Sequence, residues 1–285
     1  LPRIDNPYRA GLVVGNTGVT VRNVTVTGGS TVGIFVIGAS NFLLDSVTVQ
    51  DTASDGIQMY SGANNGIVRN AYVTRVGDDG IAVVSYRGDP ISHDIAVISP
   101  RVDGTTNTRG LVVSGGKNIT FTDITVANTA LSGVFVGSQK GTLPTQSATN
   151  VVVNGGTITN ANYSLGYQTG AITVFNENWN YAVSNVKVSN LVISGTPPQA
   201  GSIFRHLTTG GGTISKVQYS NMSIYGLSKL SVIISNSLWT YTAKGIYVDG
   251  VAVDRNGTIA RNTSATAVPT CSFWGSLFGT CSAKV

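Results

Sequence analysis

The chain has 285 residues, of which 41% are hydrophobic and only 11% charged, and its formal net charge is +5 at pH 7. No dense run of Lys or Arg indicates a nucleic-acid surface, and no stretch approaches the roughly 18 to 20 uninterrupted apolar residues of a membrane span. We therefore expect neither nucleic acid nor a membrane as a partner.

A short phrase recurs along most of the chain: a Gly, an aliphatic residue, and then alternating apolar positions. Its copies begin 23, 24, 30 and 23 residues apart. A self-similar period in this range indicates a solenoid, in which each repeat stacks only on its neighbours. The copies are Gly33-Ile34-Phe35-Val36, Gly56-Ile57-Gln58-Met59, Gly80-Ile81-Ala82-Val83, Gly110-Leu111-Val112-Val113 and Gly133-Val134-Phe135-Val136.

A second phrase lies between the copies of the first, and its alternating apolar positions are interrupted midway by Asn or Asp. These residues tolerate the left-handed backbone conformation that a one-residue corner needs. Each repeat therefore predicts three short strands joined by corners. The interrupting residues, to which we assign a structural role, are Asn23, Asn70, Asp123, Asn190 and Asn221.

Three short strands in a turn of roughly 22 to 25 residues predict an all-β protein, a right-handed parallel β-helix of about ten turns. The lack of amphipathic helical patterns excludes folds that alternate strands and helices. We expect a single domain over residues 1–285, with 254–285 as a capping tail. Residues 1–10 cannot cover the open end of such a coil, so we expect either a further N-terminal region or a second copy of the chain there.

Cys271 and Cys281 enclose an apolar segment near the C-terminus. An even count with a short closing loop favours a disulfide that pins this tail, with two free thiols as the alternative. A disulfide requires an oxidising compartment, so we expect a secreted, extracellular protein. The segments 138–149 and 163–168 are predicted to be loops inserted between turns, and such insertions often wall a binding face.

The residue before each repeated Gly defines a column along the predicted coil. Asp55 and Asp79 should lie one turn apart in it, at roughly 5 Å, with Arg109 one turn further. Two carboxylates this close repel each other, which raises one pKa and suits proton transfer during hydrolysis. Asp78 directly precedes Asp79, so it is expected either to point away from Asp79 along a strand or to sit at the corner leading into that strand. Three acids should then border one surface patch. The alternative is structural, because Asp-Gly is also ordinary turn chemistry.

Ser54-Asp55-Gly56-Ile57 and, one turn later, Gly77-Asp78-Asp79-Gly80-Ile81-Ala82-Val83 resemble the Asn-Thr-Asp-Gly and Gly-Asp-Asp-Cys-Ile-Ala-Ile signatures of polygalacturonases, glycoside hydrolase family 28. The resemblance covers about residues 19–138 and implies the pectin-lyase-like β-helix superfamily. It implies that Asp78 is the general acid, and that Asp55 and Asp79 hold and activate the water in an inverting reaction.

Two positions depart from that family's pattern. The His-Gly of its third turn corresponds to Arg109-Gly110, and the Arg-Ile-Lys of its fourth turn corresponds to Phe135-Val136-Gly137. The second change removes the charges that hold a uronic-acid carboxylate. We therefore expect a neutral sugar, or an anionic one held by Arg109, Arg87 or Lys140.

Further residues are predicted to extend the cleft. Aromatic faces stack on the C–H surfaces of sugars, and a neighbouring carboxylate can orient hydroxyl groups. The predicted substrate-binding residues are Arg109, Tyr60, Tyr86, Arg87, Lys140, Glu177, Trp179 and His206.

The leading hypothesis is a secreted glycoside hydrolase that cleaves a polysaccharide or oligosaccharide by carboxylate acid/base chemistry, with no cofactor and no metal. One alternative is a polysaccharide lyase or epimerase in which Arg109 abstracts a proton and Asp55 and Asp79 bind Ca²⁺. The other is a non-catalytic glycan-binding tailspike or adhesin, which would be a homo-oligomer.

Overall fold

Parallel strands stack along one axis in the structure, a computed structural model that describes residues 10–164, 169–227, 230–236, 241–255 and 258–259. They form a nine-stranded sheet, here called sheet A, and a fourteen-stranded sheet, here called sheet B. Each strand pairs with its equivalents one turn before and one turn after. The predicted right-handed parallel β-helix is confirmed.

Sheet A contains the recurring Gly phrase, with each Gly directly before a strand. Its first strands are three to four residues long, and the later ones reach seven. In chain-order numbering its members are β1 (Leu12–Val14), β4 (Ile34–Ile37), β7 (Ile57–Tyr60), β10 (Ile81–Val84), β13 (Leu111–Ser114), β15 (Val134–Ser138), β17 (Gly170–Asn176), β19 (Ser202–Thr208) and β21 (Ser231–Ser235).

Sheet B carries two short strands per turn in the first four turns: β2 (Thr20–Arg22), β3 (Thr25–Thr27), β5 (Leu43–Asp45), β6 (Thr48–Gln50), β8 (Asn64–Arg69), β9 (Tyr72–Val76), β11 (His93–Ile98) and β12 (Arg101–Thr105). In later turns these two strands merge into one long bent strand. The merged strands are β14 (Gly116–Thr129), β16 (Ala148–Ala161), β18 (Ala182–Ser194), β20 (Thr213–Tyr225) and β22 (Tyr241–Val248).

Three strands per turn are therefore present only in the early part of the coil. The merged strands remain continuous because single residues in the left-handed region make the corner, as Asp123 does at φ 52°. Sheet A provides nine turns in the described residues, against the ten expected.

Asn and Asp side chains stack at the corners. All five residues predicted for one ladder, from Asn23 to Asn221, have φ between 52° and 58°, which these residue types adopt at low cost. Asn221 Nδ2 donates to Asn190 Oδ1 at 3.2 Å. A second ladder, not singled out in the sequence, joins Asp94, Asn118, Asn150 and Asn185 through amide-to-oxygen bonds of 2.7–2.9 Å.

The core lies inside the coil, between the inward faces of the two sheets. Ile34, Ile57, Ile81, Leu111 and Val134 occupy one register position of sheet A on successive turns, and all are fully buried. In a solenoid the core consists of such columns of similar apolar side chains, one from each turn.

The described part of the predicted tail packs on the last turn. Strand β23 (Val251–Ala252) pairs antiparallel with β22, and β24 (Asp254–Arg255) pairs with β25 (Thr258–Ile259). The Asp254 carboxylate accepts hydrogen bonds from the N–H groups of Gly245 and Ile246, at 3.0 and 2.7 Å. Cys271 and Cys281 lie outside the described residues, so the disulfide stays a prediction.

Within the described residues, a 3₁₀ helix lies at Pro198–Ala200, just before β19. No helix in the described ranges has the length and apolar character that crossing a bilayer requires.

Candidate active site

The column before the repeated glycines forms as predicted. The N–H groups of Gly33, Gly56 and Gly80 donate to the carbonyls of Asp55, Asp79 and Arg109 on the following turn, at 2.9–3.0 Å. Asp55, Asp79 and Arg109 therefore stand above one another at the corner where the chain enters sheet A.

The recurring Gly follows from the closeness of this corner to the core. A Cβ on Gly80 would lie 2.5 Å from Val102 Cγ1 and 2.6 Å from the carbonyl oxygen of Gly110. A Cβ on Gly56 would meet Val73 in the same way, at 2.3 Å. These distances exclude any side chain without displacement of the backbone. Close packing at Gly56 and Gly80 thus fixes the backbone next to Asp55 and Asp79.

Three carboxylates meet at this corner. One side-chain oxygen from each of Asp55, Asp78 and Asp79 lies within 4.8 Å of the other two. The Asp79 N–H also donates to Asp55 Oδ1 at 3.1 Å. Asp55 and Asp79 are 6% and 5% exposed, whereas Asp78 is half-buried. Asp78 therefore lies beside the other two at this corner and does not point away from them.

Arg109 binds the cluster from the next turn. Its Nε and Nη2 donate to Asp79 Oδ1 and Oδ2 at 2.9 and 2.7 Å, and its backbone N–H donates to Oδ1 at 3.2 Å. The guanidinium carbon lies 4.3 Å from the ring centre of Phe135, and the residue is 7% exposed. Arg109 was predicted to contact substrate. The structure instead directs its fork at Asp79 and its flat face at Phe135.

Burial and charge act in opposite directions on this pair. Burial raises the pKa of the Asp79 carboxyl and the Asp78 carboxylate adds to this, while Arg109 lowers it; the net pKa lies above the usual value. Burial works to lower the pKa of Arg109, but the Asp79 carboxylate outweighs it and raises that pKa. Arg109 is therefore a permanent cation beside three acids.

The same three carboxylates are the residues that could hold a metal ion in the described part of the chain. Ca²⁺ takes six to eight oxygen ligands in proteins. Asp79 already accepts three hydrogen bonds from Arg109, and a carboxylate has about four acceptor positions. This arrangement suits an ion pair better than a divalent cation.

Tyr60 and Tyr86 lie on the outer side of sheet A, at the opposite ends of its strands from the acids. The Tyr60 ring stacks on Phe35, with centroids 5.7 Å apart, and meets Tyr86 edge-on at 5.4 Å. Its hydroxyl donates to Asp89 Oδ2 at 2.6 Å. Burial, with help from Asp89, raises the pKa of Tyr60 to about 12. Both tyrosines are partly exposed.

Loops at these strand ends form a wall. The loop after β10 carries the exposed Arg87. A Tyr86–Thr145 bridge joins it to the loop 139–147, which lies within the insertion predicted at 138–149. Lys140 follows β15, and its N–H donates to Glu177 Oε1 at 2.7 Å. Trp179 is 65% exposed in the loop after β17, three turns from Asp79. These residues face solvent, away from the acid cluster.

His206 is not available to a ligand on the outer surface. It occupies an inward-facing position of β19, in register with the core residue Val174, and is 2% exposed. Its Nε2 lies 2.7 Å from the Tyr219 hydroxyl, and burial lowers the pKa of His206 to about 4. The prediction that it contacts substrate is wrong, because strand alternation turns its side chain into the core.

Two residues of an outward-facing column of sheet A were missed as site candidates. Gln58 and Phe135 occupy the second position after the repeated Gly, in the column that also contains Ala82 and Val112. Gln58 is partly exposed. The sequence signal was the alternation itself, since this position must point out of the coil when its neighbours point in.

Residues 10–197 match the family model described as "Right handed beta helix region". No curated protein sequence matches the chain significantly. Among solved structures, the Agl-KA catalytic domain has a TM-score of 0.68 at 21% identity over 81% of this chain and 44% of that chain. The catalytic domain of a glycoside hydrolase family 87 α-1,3-glucanase in complex with nigerose has a TM-score of 0.64 at 16% identity, over 87% of this chain and 49% of that chain.

The A-module of the mannuronan C-5 epimerase AlgE6 from Azotobacter vinelandii has a TM-score of 0.61 at 16% identity, over 81% of this chain and 58% of that chain. The chain thus spans about half the length of these structures, and identities this low establish the shared fold alone. Further family 87 glucanase structures carry alanine in place of one of three aspartates, the second 23 residues after the first and the third directly after the second.

Proposed function

Because the chain belongs to the right-handed β-helix family, and because three carboxylates cluster at the corner where consecutive turns enter sheet A, we propose that it is a glycoside hydrolase that cleaves a neutral α-glucan. Asp55, Asp78 and Asp79 are its acid and base groups. The single observation that carries this proposal is that three carboxylates lie together at the corner where the chain enters sheet A.

The spacing of these aspartates supports an α-1,3-glucan as the substrate class. Asp55 and Asp78 are 23 residues apart, and Asp79 follows directly. The aspartates replaced in the family 87 glucanase structures have the same two separations. In this chain Asp55 and Asp78 belong to consecutive turns of the β-helix. Aspartates placed in the same way on two turns of another β-helix would have the same separation in sequence.

The three carboxyl groups have different roles in the proposed reaction, according to their exposure to solvent. Asp78 is the most exposed and donates a proton to the leaving glycosidic oxygen as the anomeric C–O bond breaks. Asp55 and Asp79 hold a water molecule and accept its proton as its oxygen bonds to the anomeric carbon. Each cleavage consumes one water, and the proton lost by the acid returns through solvent. The step needs no metal.

The charges near the cluster favour a neutral sugar over a uronic acid. Arg109 is engaged by Asp79 and Phe135. Within the described residues, the cations Arg87 and Lys140 lie at the opposite strand ends. A uronate bound at the acids would therefore face three carboxylates with its own charge uncompensated, which is unfavourable. We place a glucan there, and polygalacturonate is the substrate that this arrangement disfavours.

The wall of loops supplies aromatic contacts for the rest of the polymer. Tyr60 and Tyr86 present ring surface across sheet A from the acids, and we assign them to sugar contacts next to the cleaved bond. Trp179 lies about 14 Å further along the axis, three turns at 4.8 Å each, and we assign it to a more distant sugar. Glu177 and Lys140 shape the loop beneath it. A polymer of this kind lies outside cells, which accords with a secreted protein.

Separation of acid and base predicts stereochemistry in glycosidases, with roughly 6.5–9.5 Å typical of inversion and about 5–5.5 Å of retention. The oxygens here lie within 4.8 Å, so inversion rests on the resemblance in sequence and not on this geometry. Proton NMR of the first-formed anomer decides between the two outcomes.

The test is a substrate panel containing α-1,3-glucan, polygalacturonate and alginate, with detection of new reducing ends and of near-ultraviolet absorbance. The proposal expects reducing ends from α-1,3-glucan, no absorbance, and no change on addition of EDTA. An unsaturated product, or turnover that requires Ca²⁺, would indicate the lyase or epimerase alternative. Binding without turnover would indicate a non-catalytic glycan-binding protein.

A further inference from the structure

Arg109 reaches the acid cluster through Asp79. Its two guanidinium donors and its backbone N–H occupy both oxygens of that carboxylate. A planar fork on two carboxylate oxygens is the strongest and most directional ion-pair geometry available to proteins. Asp79 is held in a single orientation by a residue from the next turn.

Phe135 fixes the other side of the guanidinium. It lies one turn beyond Arg109, on β15, and is 1% exposed. A cation over an aromatic face at this distance is stabilised electrostatically, more so away from water. Asp79, Arg109 and Phe135 thus form one stack over three successive turns.

This stack favours the ionised form of Asp79. Three carboxylates within 4.8 Å cannot all ionise as freely as isolated ones. Asp79 accepts three hydrogen bonds from the Arg109 side chain and backbone N–H, which favour its charged form and oppose the effect of burial. Asp78 is the carboxyl of the three that solvent reaches most easily.

We propose that Arg109 is a positioning residue that holds Asp79 in one orientation and favours its ionised form, and that it does not bind substrate. This inference rests on the proposed function for its catalytic meaning, but its central statement concerns the protonation of Asp79. That statement can be measured without any activity.

The direct test is NMR titration of the side-chain carboxyl carbons in the free protein, with assignment by Asp55→Asn, Asp78→Asn and Asp79→Asn. The chain has only 13 acidic side chains, so the signals are few. In Arg109→Met the titration midpoint of Asp79 should rise by about 1 to 3 pH units, the effect of losing an adjacent Arg. Arg109→Lys, a charge without the fork, should raise it less and provides the second variant if the Met variant does not fold.

Arg205→Met is the matched control. Arg205 is buried on the same outer face, 3% exposed, on β19, three turns beyond Arg109. Its loss should leave the Asp79 midpoint unchanged. An Asp79 midpoint equally unchanged in the Arg109 variants would overturn the inference.

Kinetics separate positioning from substrate contact. Arg109→Lys should lower kcat at least tenfold with KM nearly unchanged, and should shift the acidic limb of the pH profile upward. A raised KM with an unmoved pH profile would instead show that Arg109 binds substrate, and the inference would fail. If the wild-type protein hydrolyses nothing on the panel, the proposed function fails, and the NMR result still decides whether Arg109 sets the protonation of Asp79.

Discussion

Asp78 is more accessible to solvent than Asp55 and Asp79. Asp55 and Asp79 are almost fully buried and engaged by backbone or Arg109 donors, whereas Asp78 is half-buried at the mouth of the corner. In the proposed reaction the acid must contact the glycosidic oxygen, so its exposure assigns this role to Asp78. This division of labour leads to two predictions at the scale of single residues.

Asp78→Asn should lower kcat on α-1,3-glucan by about 10²- to 10⁴-fold, the usual contribution of a general acid, and leave stability unchanged. Initial rates of reducing-end release measure it. The matched control is Asp123→Asn, because Asp123 occupies a ladder corner where other turns already have Asn. Equal rates for the wild type and Asp78→Asn would refute the assignment of the acid.

The acidic limb of the profile of kcat/KM against pH should lie above the ordinary Asp value of about 3.9. Burial raises the pKa of Asp79, and Asp79 must be ionised to accept a proton from water. The rate should therefore fall as pH drops through this raised pKa. A limb below pH 3.9 would contradict the assignment of Asp79 as a base.

The sequence was sufficient to predict the column of Asp55, Asp79 and Arg109, because the period fixes which residues stack. It could not predict the partners of their side chains. The Arg109 fork depends on a rotamer and on Phe135 one turn away, and no spacing encodes either. His206 shows the same limit, since its inward direction depends on the exact register of β19.

At the scale of elements, corner ladders and close-packed glycines hold the turns together. Asn118 has φ 57°, donates to Asp94 and accepts from Asn150. Each ladder residue thus adopts the left-handed backbone of its own corner at low cost and hydrogen-bonds to both neighbouring turns. The glycines before sheet A, in contrast, contribute by lacking a side chain.

Asn118→Ala should lower the free energy of unfolding by about 2–4 kcal/mol, from two exposed hydrogen bonds and a left-handed alanine. Urea denaturation measures this change. Asn118→Gly, which loses the same bonds without the backbone strain, should be less destabilised. If the two variants are equally stable, the φ of this corner contributes nothing.

Gly80→Ala should destabilise the fold by about 1–3 kcal/mol, because the new Cβ meets Val102 and a carbonyl, and should also reduce turnover by moving Asp79. Gly15→Ala is the control, since its nearest atom would be 3.7 Å away. Thermal unfolding and activity are measured on both. A Gly80→Ala protein as stable and active as Gly15→Ala would contradict the packing argument.

The corners were predictable because strand interiors are depleted in Asn and Asp. An Asn or Asp that recurs at the same position of each repeat therefore indicates a bend. The merging of two strands into one from β14 onward was not predictable. A left-handed residue marks the bend in both cases, and whether hydrogen bonding continues through it depends on the neighbouring turns.

At the scale of the whole molecule, the coil places an acidic edge and a wall of loops on either side of sheet A. The period alone predicted this architecture, because a solenoid repeats one local solution. The identity of the sugar was not predictable, because it depends on loops such as 139–147 that interrupt the period. Those loops, and not the coil, distinguish one β-helix protein from another.

A neutral substrate predicts weak dependence on salt. Between roughly 0.05 and 0.5 M NaCl, where screening changes strongly, KM for α-1,3-glucan oligosaccharides should change by less than about twofold. The net charge of +5 would instead produce a steep rise in KM if the substrate were anionic. Such a rise would refute the neutral assignment.

The most direct test of the account is cleavage of α-1,3-glucan in H₂¹⁸O, with mass spectrometry of the new reducing ends from wild-type protein and from Asp78→Asn. Hydrolysis by the three carboxylates predicts one ¹⁸O per cleaved linkage with the wild type and almost none with the variant. Uncleaved glucan, products without ¹⁸O, or equal cleavage by the variant would contradict it.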